Sequence, residues 1–287
     1  MATMILQTLL FGVVHGSIIA LGAIGVSLVF SIVRFAHFAH GDLMTTGAYL
    51  AFFCVSVLGW PLLGAFPAAI AGTVLIAILV DQAVYRRLRR TRPVILLVAS
   101  IGVALVLRNL VLMIWGPDNV VYARGIELPL QLWGLRIKFT QLYTLAGALA
   151  AVAALHAFLR YTRAGKAMRA MADNPDLARV TGINGDRVIL WTWAIAGALA
   201  CIAGIMLGQD TRLQPDLGWN LLLPIFAAAI VGGIGRPYGA IAGAMVVGIA
   251  GEMSTLVITP SYKPAVAFAI MVLVLVTRPT GIFSARS

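Results

Sequence analysis

The 287-residue sequence is 61% hydrophobic and 11% charged, against roughly 45–50% apolar and about 25% charged in soluble domains, so water is excluded as its main solvent. At about 20 apolar residues per crossing, the length accommodates about eight or nine membrane spans. A net charge of +11 would suit a nucleic-acid binder only if the basic residues shared one face of a soluble domain; here they fill short gaps between apolar runs, so nucleic acid is excluded as a partner.

In chain order, spans are expected at Ile5 to Phe30, Leu43 to Gly59, Pro61 to Val84, Val94 to Trp115, Leu142 to Leu159, Val188 to Gly208, Leu221 to Ile234, Tyr238 to Ile258 and Pro264 to Thr277. Leu221 to Ile234 and Pro264 to Thr277 are short, so one or two spans are expected to be tilted, broken or re-entrant. The first run lacks the basic start and small-residue cleavage site of a removable signal and is expected to remain as the first helix. The fold class is therefore an all-α polytopic membrane protein with about eight or nine transmembrane helices, set in a lipid bilayer.

Sidedness follows from charge. Arg34, the run from Arg86 to Arg92, the stretch from Arg160 to Arg187, and Arg236, Arg278 and Arg286 hold fifteen of the 21 basic residues and mark the cytoplasmic side. Arg124, Arg136, Lys138, Arg212 and Lys263 fall on the other side, and Asp42 and Asp81 are counted with the cytoplasmic charges. This arrangement puts the N-terminus outside and the C-terminus in the cytoplasm. The outer stretch from Gly116 to Gln141, with Pro117, Pro129, Trp133 and Glu127, reads as a short ordered loop. Glycines four apart, as in Gly12 with Gly16, Gly204 with Gly208, and Gly235, Gly239 and Gly243, permit close approach of helix backbones in lipid.

Catalytic motifs are absent. There is no His-Glu-x-x-His, no Gly-x-Ser-x-Gly, and no phosphate loop, since Gly165-Lys166 runs into Ala167. Cys54 and Cys201 sit in apolar runs and read as small hydrophobes, and no metal spacing is present. His15 and His156 stand alone in apolar runs and read as packed, hydrogen-bonded residues. The chain is expected to bind no cofactor, to carry no catalytic residue and to hydrolyse no ATP by itself.

The most specific local signal is a capped helix within residues 160–187. Asn174 is a good N-cap before Pro175 at the first helical position, Asp176 complements the positive helix end, and Gly182 supplies a left-handed stop. A helix of about six or seven residues is unstable alone. Its apolar positions Leu177 and Val180, with Ala178 between them, read either as a socket for a soluble partner or as packing onto the protein's own loops or headgroups.

The block from Arg163 to Gly204, RAGKAMRAMADNPDLARVTGINGDRVILWTWAIAGALACIAG, closely resembles the coupling region of permease subunits of branched-chain amino acid ABC importers, LivH type. Four further blocks agree in order: RFAHFAHGDLMTTGAY from Arg34, SIGVALVLRNLVLMIWG from Ser100, IVGGIGRPYGAIAGAMVVGIAGE from Ile230, and RPTGIF from Arg278. The resemblance covers nearly the whole chain. It implies a single permease domain over residues 1–287, located in the cell inner membrane. It also implies a second homologous permease, two cytoplasmic ATPases that use ATP and Mg, and a periplasmic solute-binding protein. The capped helix would couple to an ATPase through Asn174, Pro175, Asp176, Leu177, Ala178, Val180 and Gly182. Related permeases carry leucine, isoleucine and valine, and similar ones carry urea or short amides. A stand-alone secondary transporter or channel is the alternative outside the family.

Charges inside spans cost about 2.5–3.5 kcal/mol each, and ionisable or polar groups there are functional candidates, so Arg34, His37, His40, Arg108, Asn109 and Glu252 are candidates for the translocation path. Arg108 is expected to pair with Glu252 across the bundle, either as a structural ion pair or as a site for an anionic group of the solute. The family more often has Gln there, and Asn at position 37, so Arg108 and His37 are departures. The histidines read as a polar constriction on the path or as groups that satisfy backbone freed at a helix break. Asp81 is expected to partner the neighbouring arginine run.

Overall fold

A computed structural model describes residues 2–122, 129–132, 134–278 and 280–282. Arg124, Glu127, Trp133 and Arg286, together with Pro279 and Phe283 of the terminal RPTGIF block, lie outside the described residues.

The helices are α1 (Ala2–Val33), α2 (His40–Ser56), α3 (Leu62–Val80), α4 (Arg86–Leu88), α5 (Pro93–Trp115), α6 (Phe139–Tyr161), α7 (Arg163–Asp173), α8 (Pro175–Val180), α9 (Gly185–Asp210), α10 (Leu217–Gly232), α11 (Pro237–Ser254) and α12 (Lys263–Thr277). A π-helical turn, Asp81–Tyr85, joins α3 to α4, and a single hairpin of β1 (Leu130–Leu132) and β2 (Leu135–Ile137) lies between α5 and α6. Each of the nine apolar stretches falls on one long helix. Among the described residues, six helical segments are long and apolar enough to cross a membrane, namely 3–33, 62–88, 93–115, 139–161, 185–210 and 260–277. Helices α2, α10 and α11 complete the bundle.

Helix α1 is the axis. Of its apolar window 78% is buried, against 11% for the window ending in α12 and 22% for α6, so α1 is wrapped by protein while α12 and α6 lie at the periphery. It packs along α11 and α9, and α9 packs in turn on α2 and α3. Lipid gives apolar side chains no reason to leave it, so helix contact in a membrane depends on close backbone fit at small residues. A methyl group added at Gly204 of α9 would stand 2.0 Å from the Met44 carbonyl oxygen of α2, and one at Gly248 of α11 would stand 2.4 Å from Gly16 Cα of α1. Gly239 and Gly243 likewise lie against Gly232 and Ala228 of α10. Gly235 does not belong to that ladder: it sits in the turn between α10 and α11 with φ +82°.

Gln7 Nε2 donates to the Arg136 carbonyl, and Arg136 N–H donates back to Gln7 Oε1, each at 2.8 Å, so β2 clasps the start of α1. Val120 and Leu213 form a bridge that joins the residues after α5 to those after α9.

Gly204→Ala should destabilise the protein by about 1–3 kcal/mol through overpacking against α2. Gly102→Ala, with nothing within 4 Å of the added methyl, should leave stability unchanged or slightly raised. Unfolding of the two purified variants in detergent micelles separates the outcomes, and equal stability would remove the close-fit account of the α2–α9 contact.

Candidate translocation site and coupling helix

The chain between α1 and α2 leaves helical geometry at Arg34, the one non-glycine residue with positive φ among those described, at +64°. Residues 35–39 then run alongside the middle of α5. Phe38 N–H donates to Ser100 Oγ at 3.1 Å, and Asp42 in the first turn of α2 meets Arg108. Ser100 and Arg108 are each about two turns from an end of α5. Helix α2 therefore begins within the thickness of the bundle, and the break is held by protein, as backbone in hydrocarbon requires.

This geometry corrects two expectations. Asp42 is no loop charge: its side chain is 0% exposed and it receives Arg108 Nε at 3.0 Å and Nη2 at 3.3 Å. Arg108 does not reach Glu252, which instead accepts from Lys263 Nζ at 2.6 Å at the far end of the bundle from the arginine-rich loops. The reason is depth: Arg108 lies level with the start of α2, whereas Glu252 sits in the last turn of α11 beside the residue that opens α12. Asp81 does pair with Arg89 of the basic run.

Arg108 is 18% exposed, and its guanidinium carbon lies 4.5 Å from the centroid of the Trp219 ring in α10, a cation–π distance. The starts of α2 and α10 meet here. A methyl at Gly41 would stand 2.5 Å from the Gly218 carbonyl oxygen, and Gly218 N–H donates to Thr45 Oγ1 at 2.9 Å. Trp219 and Leu223 are exposed on the same stretch of α10. The result is one partly open polar group, Arg108 with Asp42 beneath it, faced by the Trp219 indole.

The remaining candidates separate. His37 and His40 are buried. His37 Nε2 lies 3.1 Å from the Tyr85 hydroxyl and its ring 4.9 Å from that of Trp193, which stacks on Tyr85 at 5.2 Å. The His40 ring occupies the space left by the missing side chain of Gly25. Ser100, not either histidine, satisfies the N–H of Phe38. Asn109 is exposed and folds back on the Leu105 carbonyl of its own helix. Arg34 Nη2 donates to the Ala172 carbonyl of α7 at 2.9 Å, which links the break to the segment that leads into α8. Asp42, Ser100, Tyr85 and Trp219 escaped the sequence reading. An intramembrane arginine requires a carboxylate, but spacing alone does not choose among Asp42, Asp81 and Glu252.

Helix α7 starts from Thr162, whose Oγ1 accepts from Gly165 N–H at 2.9 Å, and it buries Gly165, Met168 and Met171. Helix α8 has the expected caps: Asn174 Oδ1 accepts from Asp176 N–H at 3.1 Å and Leu177 N–H at 3.0 Å, and Gly182 has φ +88°. Ala178 is its one buried residue. Leu177 and Val180 are 61% and 84% exposed, so the apolar face of α8 finds no cover among the described residues.

A family model described as branched-chain amino acid transport system, permease component, matches residues 8–275. The chain belongs to this family. It is 35% identical to the high-affinity branched-chain amino acid transport system permease protein LivH of Escherichia coli K12, over 96% of this chain and 94% of that one. It is 32% identical to the permease protein BraD of Pseudomonas aeruginosa, over 96% and 95%. A solved structure, PsaBC from Streptococcus pneumoniae in complex with Fab, shares the fold at TM-score 0.56 and 13% identity, covering 96% of this chain and 92% of that one. As a family member, the chain is a multi-pass membrane permease of the ABC importer type, and a stand-alone transporter or channel is not favoured.

Arg108→Gln alone leaves the Asp42 carboxylate buried without a partner and should cost about 3–5 kcal/mol. Adding Asp42→Asn should recover most of that loss. A double-mutant cycle on unfolding in detergent reads the coupling, and additive losses would mean that the two side chains do not act as a pair.

Proposed function

We propose that this chain forms, with a second homologous permease, the path by which an ATP-driven importer carries a branched-chain amino acid or a similar small solute. The arginine-rich end, with α7, α8 and the C-terminus, faces the cytoplasm of a cell whose inner membrane holds the protein, following the excess of Lys and Arg on that side. A periplasmic binding protein delivers the solute at the opposite end. Two cytoplasmic ATPases bind and hydrolyse ATP with Mg; this chain supplies path and gate, holds no cofactor and performs no reaction chemistry.

The observation that carries the reading is the uncovered apolar face of α8. A six-residue helix, capped at both ends and exposing Leu177 and Val180, has the shape of a knob for a groove on a soluble partner. Motion imposed on α8 passes through α7 and the bond from Arg34 to Ala172 to the break, and so to the start of α2. Alternating access then follows from an ATPase that binds the two arrangements unequally.

Arg108 supports the choice of solute. Its Nη1 has no protein partner among the described residues, so it can receive a carboxylate while Trp219 and Leu223 meet an aliphatic side chain. His37 and His40 act one layer below, as positioning residues that set the start of α2.

In the reconstituted importer, Leu177→Arg should reduce solute-stimulated ATP hydrolysis to the basal rate while the permease remains folded in the membrane; full coupling in that variant would defeat the docking role of α8. The pair Arg108→Gln with Asp42→Asn should fold and bind solute at least about tenfold more weakly, the cost of about 1.4 kcal/mol of lost contact. Unchanged solute affinity would leave Arg108 a structural residue.

A further inference from the structure

A cavity lined by arginines and aliphatic side chains lies away from Arg108. It has a volume of about 600 Å³ and is bounded by the last turns of α1 and α6, by α7, and by the turn between α10 and α11. Arg160, Arg169 and Arg236 line it, with Asp173 as the carboxylate among its lining residues. Neither Arg160 nor Arg169 forms an ion pair with a carboxylate among the described residues; the Arg160 guanidinium rests over the Tyr161 ring at 5.6 Å. Deeper in, the walls turn apolar, with Leu28, Ile32, Leu159 and Met168.

The surroundings specify the depth. Tyr161, Trp191 and Tyr238 are exposed near this end of the bundle, with Trp191 packed on Phe158 and the Tyr238 hydroxyl bonded to His156 Nδ1 at 2.8 Å. Exposed Tyr and Trp collect at the level of lipid headgroups. Helix α7 buries Met168 and Met171 and exposes Arg163, Lys166 and Arg169, the pattern of a helix lying in the interface plane.

We infer that this cavity seats the phosphate of an anionic phospholipid. Arginines bind phosphate oxygens through paired N–H donors, a basic pocket between helices at the membrane edge suits an acidic headgroup, and the apolar walls receive the glycerol and the first acyl carbons. A lipid there touches α1, α6, α7 and α11 at once and so braces the segment that carries α8. The inference does not depend on the identity of the solute or on the ATPase contact.

The full-length chain, purified in mild detergent and titrated with defined lipids, is read by native mass spectrometry. Phosphatidylglycerol should be retained at one molecule per chain, about tenfold or more in preference to phosphatidylcholine. Arg160→Gln with Arg169→Gln should erase the preference. Ala172→Phe should do the same by filling the cavity with every charge kept, and it carries the comparison if the double variant does not fold. Arg163→Gln, on α7 but outside the cavity, should retain the lipid. Equal retention of the two lipids by the unaltered chain, or retention of phosphatidylglycerol in Ala172→Phe, would overturn the site. Displacement by millimolar inorganic phosphate would mark a free-anion site and overturn the lipid.

Discussion

A hydrocarbon layer offers no partner to a free N–H or a bare charge, and this chain interrupts a helix and places an arginine inside that layer. Both demands are met in one place. The interrupted backbone at Phe38 is taken up by Ser100, and the charge of Arg108 by Asp42, so α5 serves as the post on which the start of α2 is hung. Without that post the break between α1 and α2 would carry unsatisfied groups worth several kcal/mol each in lipid. The close meeting of Gly41 with Gly218 then brings α10 to the same post.

Helix α5 has little other support. It packs chiefly on α2, and Val98, Leu105, Val106 and Met113 are exposed along it. The helix that holds the buried pair thus also presents a long apolar flank. Lipid satisfies such a flank, and so does a second permease, which would place the Arg108 group at or near a subunit boundary. Helix α1, by contrast, meets both α11 and α9 and is covered along most of its length.

Much of this was legible in the sequence where one residue type has one physical meaning. Asn174 before Pro175, with Gly182 beyond, specifies a capped helix of fixed ends, and the helix stands there. The nine apolar runs each fall on a helix, since an apolar segment in lipid has few other ways to satisfy its backbone. What stayed hidden depends on distances between helices. Asp42 follows a basic signature and reads as an edge charge; only the descent of residues 35–39 beside α5 carries it inward. Glu252 and Lys263 lie eleven residues apart around the turn between α11 and α12, a local pairing that spacing alone does not separate from a partnership of Glu252 with Arg108. Helix α2 starts at His40, three residues before its apolar run at Leu43, because contacts of Asp42 with α5 and of Gly41 with α10 fix its first turn.

Arg34 joins the break to α7 by one exposed bond. A left-handed backbone at a residue with a Cβ costs about 1–2 kcal/mol, and an exposed contact of a charged group returns about 1 kcal/mol or less, so the tether to Ala172 does not by itself hold the kink. Phe38 on Ser100 and Asp42 on Arg108 hold it from the other side. A displacement of α7 by little more than a hydrogen-bond length therefore frees the Arg34 side chain and leaves the break standing, so the joint between the two is a slack one.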